Sequence, residues 1–90
     1  VKATGGKIHN IIAASSGVAN VYMKIYNTAS PTVGTTIPAY TIAIPTTGLN
    51  IFDPFGMTFS TAISYAITGA YADTDTTAPT AGITVQVEYV

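Results

Sequence analysis

The sequence predicts an all-β fold, a single antiparallel β-sandwich of six to seven strands, and three observations carry that prediction. Thr, Val, Ile and Tyr are abundant. Gly or Pro punctuates the chain about every eight to twelve residues, which is the strand spacing of a sandwich or barrel. No segment of about ten residues holds a convincing 3.6-residue period, so helix content is expected to be near nil. The 90 residues make one domain, 1–90, with no internal repeat and no boundary.

After Gly5-Gly6, Lys7 to Ala14 reads as a first strand, with Ile8 and Ile12 on one face and His9 and Ile11 on the other. Ser15-Ser16-Gly17 turns the chain into Val21 to Asn27, V-Y-M-K-I-Y-N, the cleanest strand signal present. There Val21, Met23 and Ile25 alternate with Tyr22, Lys24 and Tyr26, so a pleated strand sends the aliphatics to the core and the Tyr-Lys-Tyr ladder to the opposite face. These two strands are expected to pair as a hairpin or to face each other across the core.

Thr28 to Ile37 is an uncharged ten-residue loop, longer than a usual connection, and such loops are where contacts are made. Thr32 and Val33 lie at its centre. Pro38 and Pro45 bracket Ala39 to Ile44, in which Tyr40, Ile42 and Ile44 alternate with Ala39, Thr41 and Ala43. Proline cannot donate to a ladder, so this short strand is placed at a sheet edge. Thr46-Thr47-Gly48 is the next turn. Leu49 to Ser60 is aromatic-rich and broken by Asp53-Pro54 and Gly56, which predicts two half-strands joined by a bend or bulge, with Phe52 and Phe59 in the core. Ala62 to Tyr71 alternates again, Ile63, Tyr65 and Ile67 against Ser64, Ala66 and Thr68. Asp73 to Ala81 is a polar loop. Ile83, Val85, Val87 and Tyr89 then alternate with Thr84, Gln86 and Glu88 in a last strand. This spacing fits immunoglobulin-like and jelly-roll-like sandwiches equally.

Charged residues are only 8% of the chain, three Lys and four acids, beside 48% hydrophobic residues. A surface so poor in charge suits burial against other subunits, and a homo-oligomer, dimer or trimer, is expected because edge strands must be paired or covered. A net charge of −1 argues against nucleic acid, which needs clustered Lys or Arg. No run approaches the roughly 18 apolar residues of a membrane helix, and V-K-A-T-G-G does not read as a signal peptide.

Little in the chain points to catalysis. His9 is the single histidine and cysteine is absent, so no nucleophile-base pair suggests itself, and His9 reads as a half-exposed strand residue. Asp73 and Asp75 offer two oxygen ligands in D-x-D, yet the spacing of a calcium loop is missing, and the pair reads as a turn capped by Asx hydrogen bonds. Asp53 before Pro54 reads as a turn former, and Glu88 has no second carboxylate assigned to it for glycosidase chemistry. No enzyme, cofactor or metal is expected. Tyr22, Tyr26 and Tyr71 form an aromatic set that favours a protein interface over a sugar site, which would add Trp, Arg or acids. Tyr65, early in the penultimate strand, fits a tyrosine corner whose hydroxyl bonds to upstream backbone.

The run V-Y-M-K-I-Y-N-T-A-S-P-T-V-G-T-T-I-P-A-Y-T-I-A-I-P, followed by F-S-T-A-I-S-Y-A-I-T-G-A-Y-A-D-T-D-T-T-A-P, resembles small β-sandwich virion proteins of tailed bacteriophages and prophages. The resemblance spans about residues 20 to 90, with Ala62 where that group carries Gly in F-S-T-G. It implies a capsid decoration, or cement, protein on the outer surface of the virion, with the major capsid protein as partner. The expected contact residues are Tyr22, Lys24, Tyr26, Thr32, Val33 and Tyr71. The alternative is a tail or fibre module that binds host-surface glycan.

Overall fold

A computed structural model describes residues 2–15, 21–45, 48–78 and 83–90, and within strands it leaves the side chains of residues 15, 49, 50 and 52–55 undescribed. The Ser16-Gly17 and Thr46-Thr47 turn positions, residues 79–81 of the polar loop and the Phe52 side chain therefore lie outside the described residues.

The described chain is all-β. Six strands, β1 (Gly6–Ser15), β2 (Val21–Tyr26), β3 (Tyr40–Ile44), β4 (Leu49–Phe59), β5 (Ser64–Thr68) and β6 (Ile83–Tyr89), form two antiparallel three-stranded sheets. The first sheet has the order β4-β1-β6 and the second β3-β2-β5. The smallest extent of the molecule is 16 Å, as expected when two sheets stack about 10 Å apart. β1 and β2 are the central strands of the two sheets, and both supply side chains to the core. β3 lies at an edge, as its flanking prolines require.

Strand spacing left the sheet order open, and the last strand decides it. β6 crosses to the first sheet and pairs with β1, whereas the last two strands of an immunoglobulin domain are neighbours in one sheet. The connection after β5 must consequently pass from one sheet to the other.

The core comprises Ile8, Ile11 and Ala13 from β1, Val21, Met23 and Ile25 from β2, Ile44, Met57 and Phe59, with Ile63 just before β5. Ile42, Ile51, Ile67, Ile83, Val85 and Val87 pack around it. The aliphatics of V-Y-M-K-I-Y-N and the Phe59 ring thus occupy the interior that their alternation predicts.

β1 departs from simple alternation. Ile11 is fully buried and Ile12 is 43% exposed, the reverse of the expected faces. The cause is a register shift between Ile8 and Asn10 in both pairings of β1. Against β6, Ile8 faces Tyr89 and Asn10 faces Glu88, so His9 is one extra residue and the parity of everything after it changes. Against β4, Ile8 faces Met57 and Asn10 faces Phe52, so residues 53–56 bulge out opposite His9. This is the bend that Asp53-Pro54 and Gly56 predict. Gly56 has φ +83°, and a Cβ there would lie 3.0 Å from both His9 Cε1 and Lys7 Cβ, so the bulge needs glycine for conformation and for space.

Tyr65 is not a tyrosine corner. The residue is 41% exposed on the edge strand β5, and its hydroxyl makes no hydrogen bond among the described residues.

Candidate functional site

The outer face of β2 carries Tyr22, Lys24 and Tyr26, and it is covered from within the chain. Lys24 and Tyr26 are fully buried and Tyr22 is half-buried. What covers them is the connection that leaves β5, residues 69–78, folded back over the second sheet. The expectation that all three side chains stand on an exposed interface is corrected accordingly: period 2 separates the two faces of a strand but does not say whether the second one is wet.

Lys24 joins strand to loop. Its Nζ donates to the backbone carbonyl oxygens of Ala72 and, at 3.3 Å, Asp75. A buried ammonium is tolerated only with partners for its N–H groups, and the loop carbonyls supply them. The loop is also closed on itself. The Gly69 N–H donates to Thr77 O at 3.0 Å, and the Asp75 N–H to Ala72 O at 3.0 Å. The Asp75 carboxylate accepts from the Ala70 N–H at 3.1 Å and from the Thr77 hydroxyl at 2.7 Å. That bond with Thr77 holds the Asp75 carboxyl below its usual range; the Ala70 and Thr77 backbone N–H groups and the Lys24 charge act in the same direction, and burial opposes them. The D-x-D segment is a self-capped turn, as read from its residue types.

Tyr26 lies deeper. Its hydroxyl is buried and has no hydrogen-bond partner among the described residues. Burial, then the negative charge of Asp73, pushes its phenol up. Asn27, the last residue of the V-Y-M-K-I-Y-N run, explains how β2 is anchored at its end. Its Oδ1 accepts from the backbone N–H groups of Thr61 and Ala62, at 2.9 and 3.3 Å, while its Nδ2 donates to Ser60 Oγ at 3.0 Å.

Four of the six expected contact residues remain on the surface or partly so, the half-buried Tyr22 among them. Thr32 is exposed and Val33 is half-buried, in a loop pinned by Thr35 and Thr36 N–H groups donating to Thr32 O and by the Thr32 N–H donating to Thr36 Oγ1. Tyr71 is 65% exposed, held edge-on against Tyr22 with ring centroids 5.8 Å apart. The two loops meet at Gly34, whose φ is +89° and where a Cβ would lie 2.5 Å from Thr76 Cγ2. The fold therefore brings the 28–37 and 69–78 loops together beside the second sheet, with Tyr71 outward.

Sequence reasoning missed other exposed apolar groups, Ile37 at 78% and Val90 above all. Ile37 precedes Pro38 in the uncharged loop, and a large aliphatic outside any alternating run is the signal that marks it. Ile12 carried no such signal, because the bulge that exposes it is invisible in β1 alone. Among the described residues no pocket opens and no group of three or more His, Cys, Asp or Glu side chains stands together.

No family model, curated protein or solved structure matches the chain.

Proposed function

We propose that the chain is a structural virion protein of a tailed bacteriophage, a decoration protein seated on the outside of the capsid that bridges and stabilises neighbouring major capsid subunits. The observation that carries this reading is a surface with few charges and large apolar groups standing out of it, Ile37, Tyr71 and Val90 among them. Surface of that kind on so small a domain favours burial against partners. The motif resemblance of residues 20 to 90 supports the same assignment. The action is mechanical: each copy adds a modest contact, and repetition over the lattice multiplies it.

Imaging of the particle tests the proposal. Density on the head exterior at a fixed ratio to the capsid protein is expected, and particles lacking the chain should release their DNA at lower temperature. Density confined to the tail, or absence of the chain from purified unaltered particles, would overturn it. The second reading, a tail or fibre module that binds host-surface glycan, draws on the exposed Tyr71 ring braced by Tyr22. Glycan binding lost on Tyr71→Ala would favour it.

A further inference from the structure

The sandwich has four edge strands, and three of them are protected against pairing with another chain. β3 is five residues long and enclosed by Pro38 and Pro45. β4 is interrupted by the 53–56 bulge with Pro54 and Gly56. β5 is blocked at both ends: Ile63, just before it, exchanges both backbone bonds with Lys2, at 2.8 and 2.9 Å, and the Gly69 N–H after it is taken by Thr77 O. Prolines, bulges and covering segments are the usual means of blunting an edge. Among the described residues β6 has none of them. It is a seven-residue strand, I-T-V-Q-V-E-Y, with no proline, no lysine and one charge, and its only strand neighbour among the described residues is β1.

Which backbone groups of β6 remain open follows from its pairing. Val90 and Lys7 exchange both bonds, Val90 N–H to Lys7 O at 3.0 Å and Lys7 N–H to Val90 O at 3.2 Å. The bulge falls on β1, so the alternation along β6 is unbroken: Glu88, Gln86 and Thr84 also turn their backbone to β1. Tyr89, Val87, Val85 and Ile83 direct theirs to the open side.

We infer that β6 is a self-association edge, and that its occupant is the β6 strand of a second copy, antiparallel about a two-fold axis at Gln86. In this register Val85 meets Val87 of the other copy and Ile83 meets its Tyr89, so every outward N–H and C=O between 83 and 89 finds a partner. The two sheets β4-β1-β6 join into one continuous sheet. The half-buried side chains of Ile83, Val85 and Val87, already packed against the core, gain cover on their open flank. The charges agree with the register. Glu88 lies across from Thr84 rather than from the other Glu88, whereas a slip by two residues toward the C-terminal end of the strand loses bonded pairs and a slip by four places the two glutamates opposite each other. This inference does not depend on the virion reading.

The test uses the full chain and two surface variants. Thr84 is exposed on the outer face, so changing it leaves the core untouched. Sedimentation equilibrium of the unchanged chain should show a monomer-dimer equilibrium. Thr84→Lys, facing Glu88 twice per dimer, should tighten it, and Thr84→Glu should weaken it, each by about 2- to 30-fold. In hydrogen exchange the Val85 and Val87 amides should become protected as concentration rises. A chain that stays monomeric to millimolar concentration, a trimer, or a dimer indifferent to both variants and without that protection would overturn the inference.

Discussion

At the scale of single residues, Lys24 explains most about the region opposite the core. Its ammonium is buried and bonded to loop carbonyls, so it orders residues 69–78 from beneath. Lys24→Met keeps the apolar stem and removes the donors. It should cost about 1–3 kcal/mol by chemical denaturation and speed exchange of the Gly69 and Ala70 amides. Tyr26 is the contrasting case, a buried hydroxyl with no partner among the described residues. Tyr26→Phe should leave stability unchanged or raise it by up to about 1 kcal/mol, because no hydrogen bond is lost and a desolvated polar atom is removed. Both residues are legible in the sequence as polar members of an alternating strand. Their burial is not, since it depends on a loop more than 40 positions away in sequence, as the Lys24 to Ala72 separation of 48 shows.

Among the elements, β1 shows how one inserted residue reassigns side chains. Ile11 faces the core and Ile12 faces outward only because His9 is bulged. Ile11→Ala should therefore cost about 2–5 kcal/mol and Ile12→Thr about 0.5 kcal/mol or less. Unshifted alternation would give the opposite order, and a pair of thermal melts separates the two. The matching bulge in β4 was legible, because Pro54 and Gly56 are chemical breakers in the strand itself. The bulge in β1 was not, because K-I-H-N-I-I-A-A contains no glycine or proline to mark it. Gly56→Ala should cost more than about 1 kcal/mol, given its positive φ and the His9 and Lys7 atoms beside it.

For the whole molecule, two titrations bound the stable range. Asp75 has its folded value below the ordinary 3.8, so its contribution is full above that value and is lost as pH falls through the lower folded one. Tyr26 is raised above the ordinary 10.0, so its contribution is full below that value and is lost as pH rises through the higher folded one. Unfolding midpoints followed against pH should be level near neutrality and fall at both ends. The acid limb should flatten in Asp75→Asn and the alkaline limb in Tyr26→Phe. Assembly belongs to this scale too. Under the proposed capsid role, Tyr71→Ala should lower occupancy on particles about tenfold or more if Tyr71 anchors the contact, measured as copies per capsid subunit.

The sequence by itself determined the all-β class, the strand positions, the edge placement of β3, the bulge around Asp53 to Gly56 and the core role of Val21, Met23, Ile25 and Phe59. Period, proline and glycine are local quantities, and each acts within a few residues of itself. Tertiary structure alone decided that β6 crosses to β1, that Ile12 and Ile11 exchange faces, and that the Tyr-Lys-Tyr face is roofed by residues 69–78. These outcomes depend on which distant segment arrives next to a strand. A two-residue repeat describes two faces, and only the neighbour that arrives decides whether the second one meets water or protein.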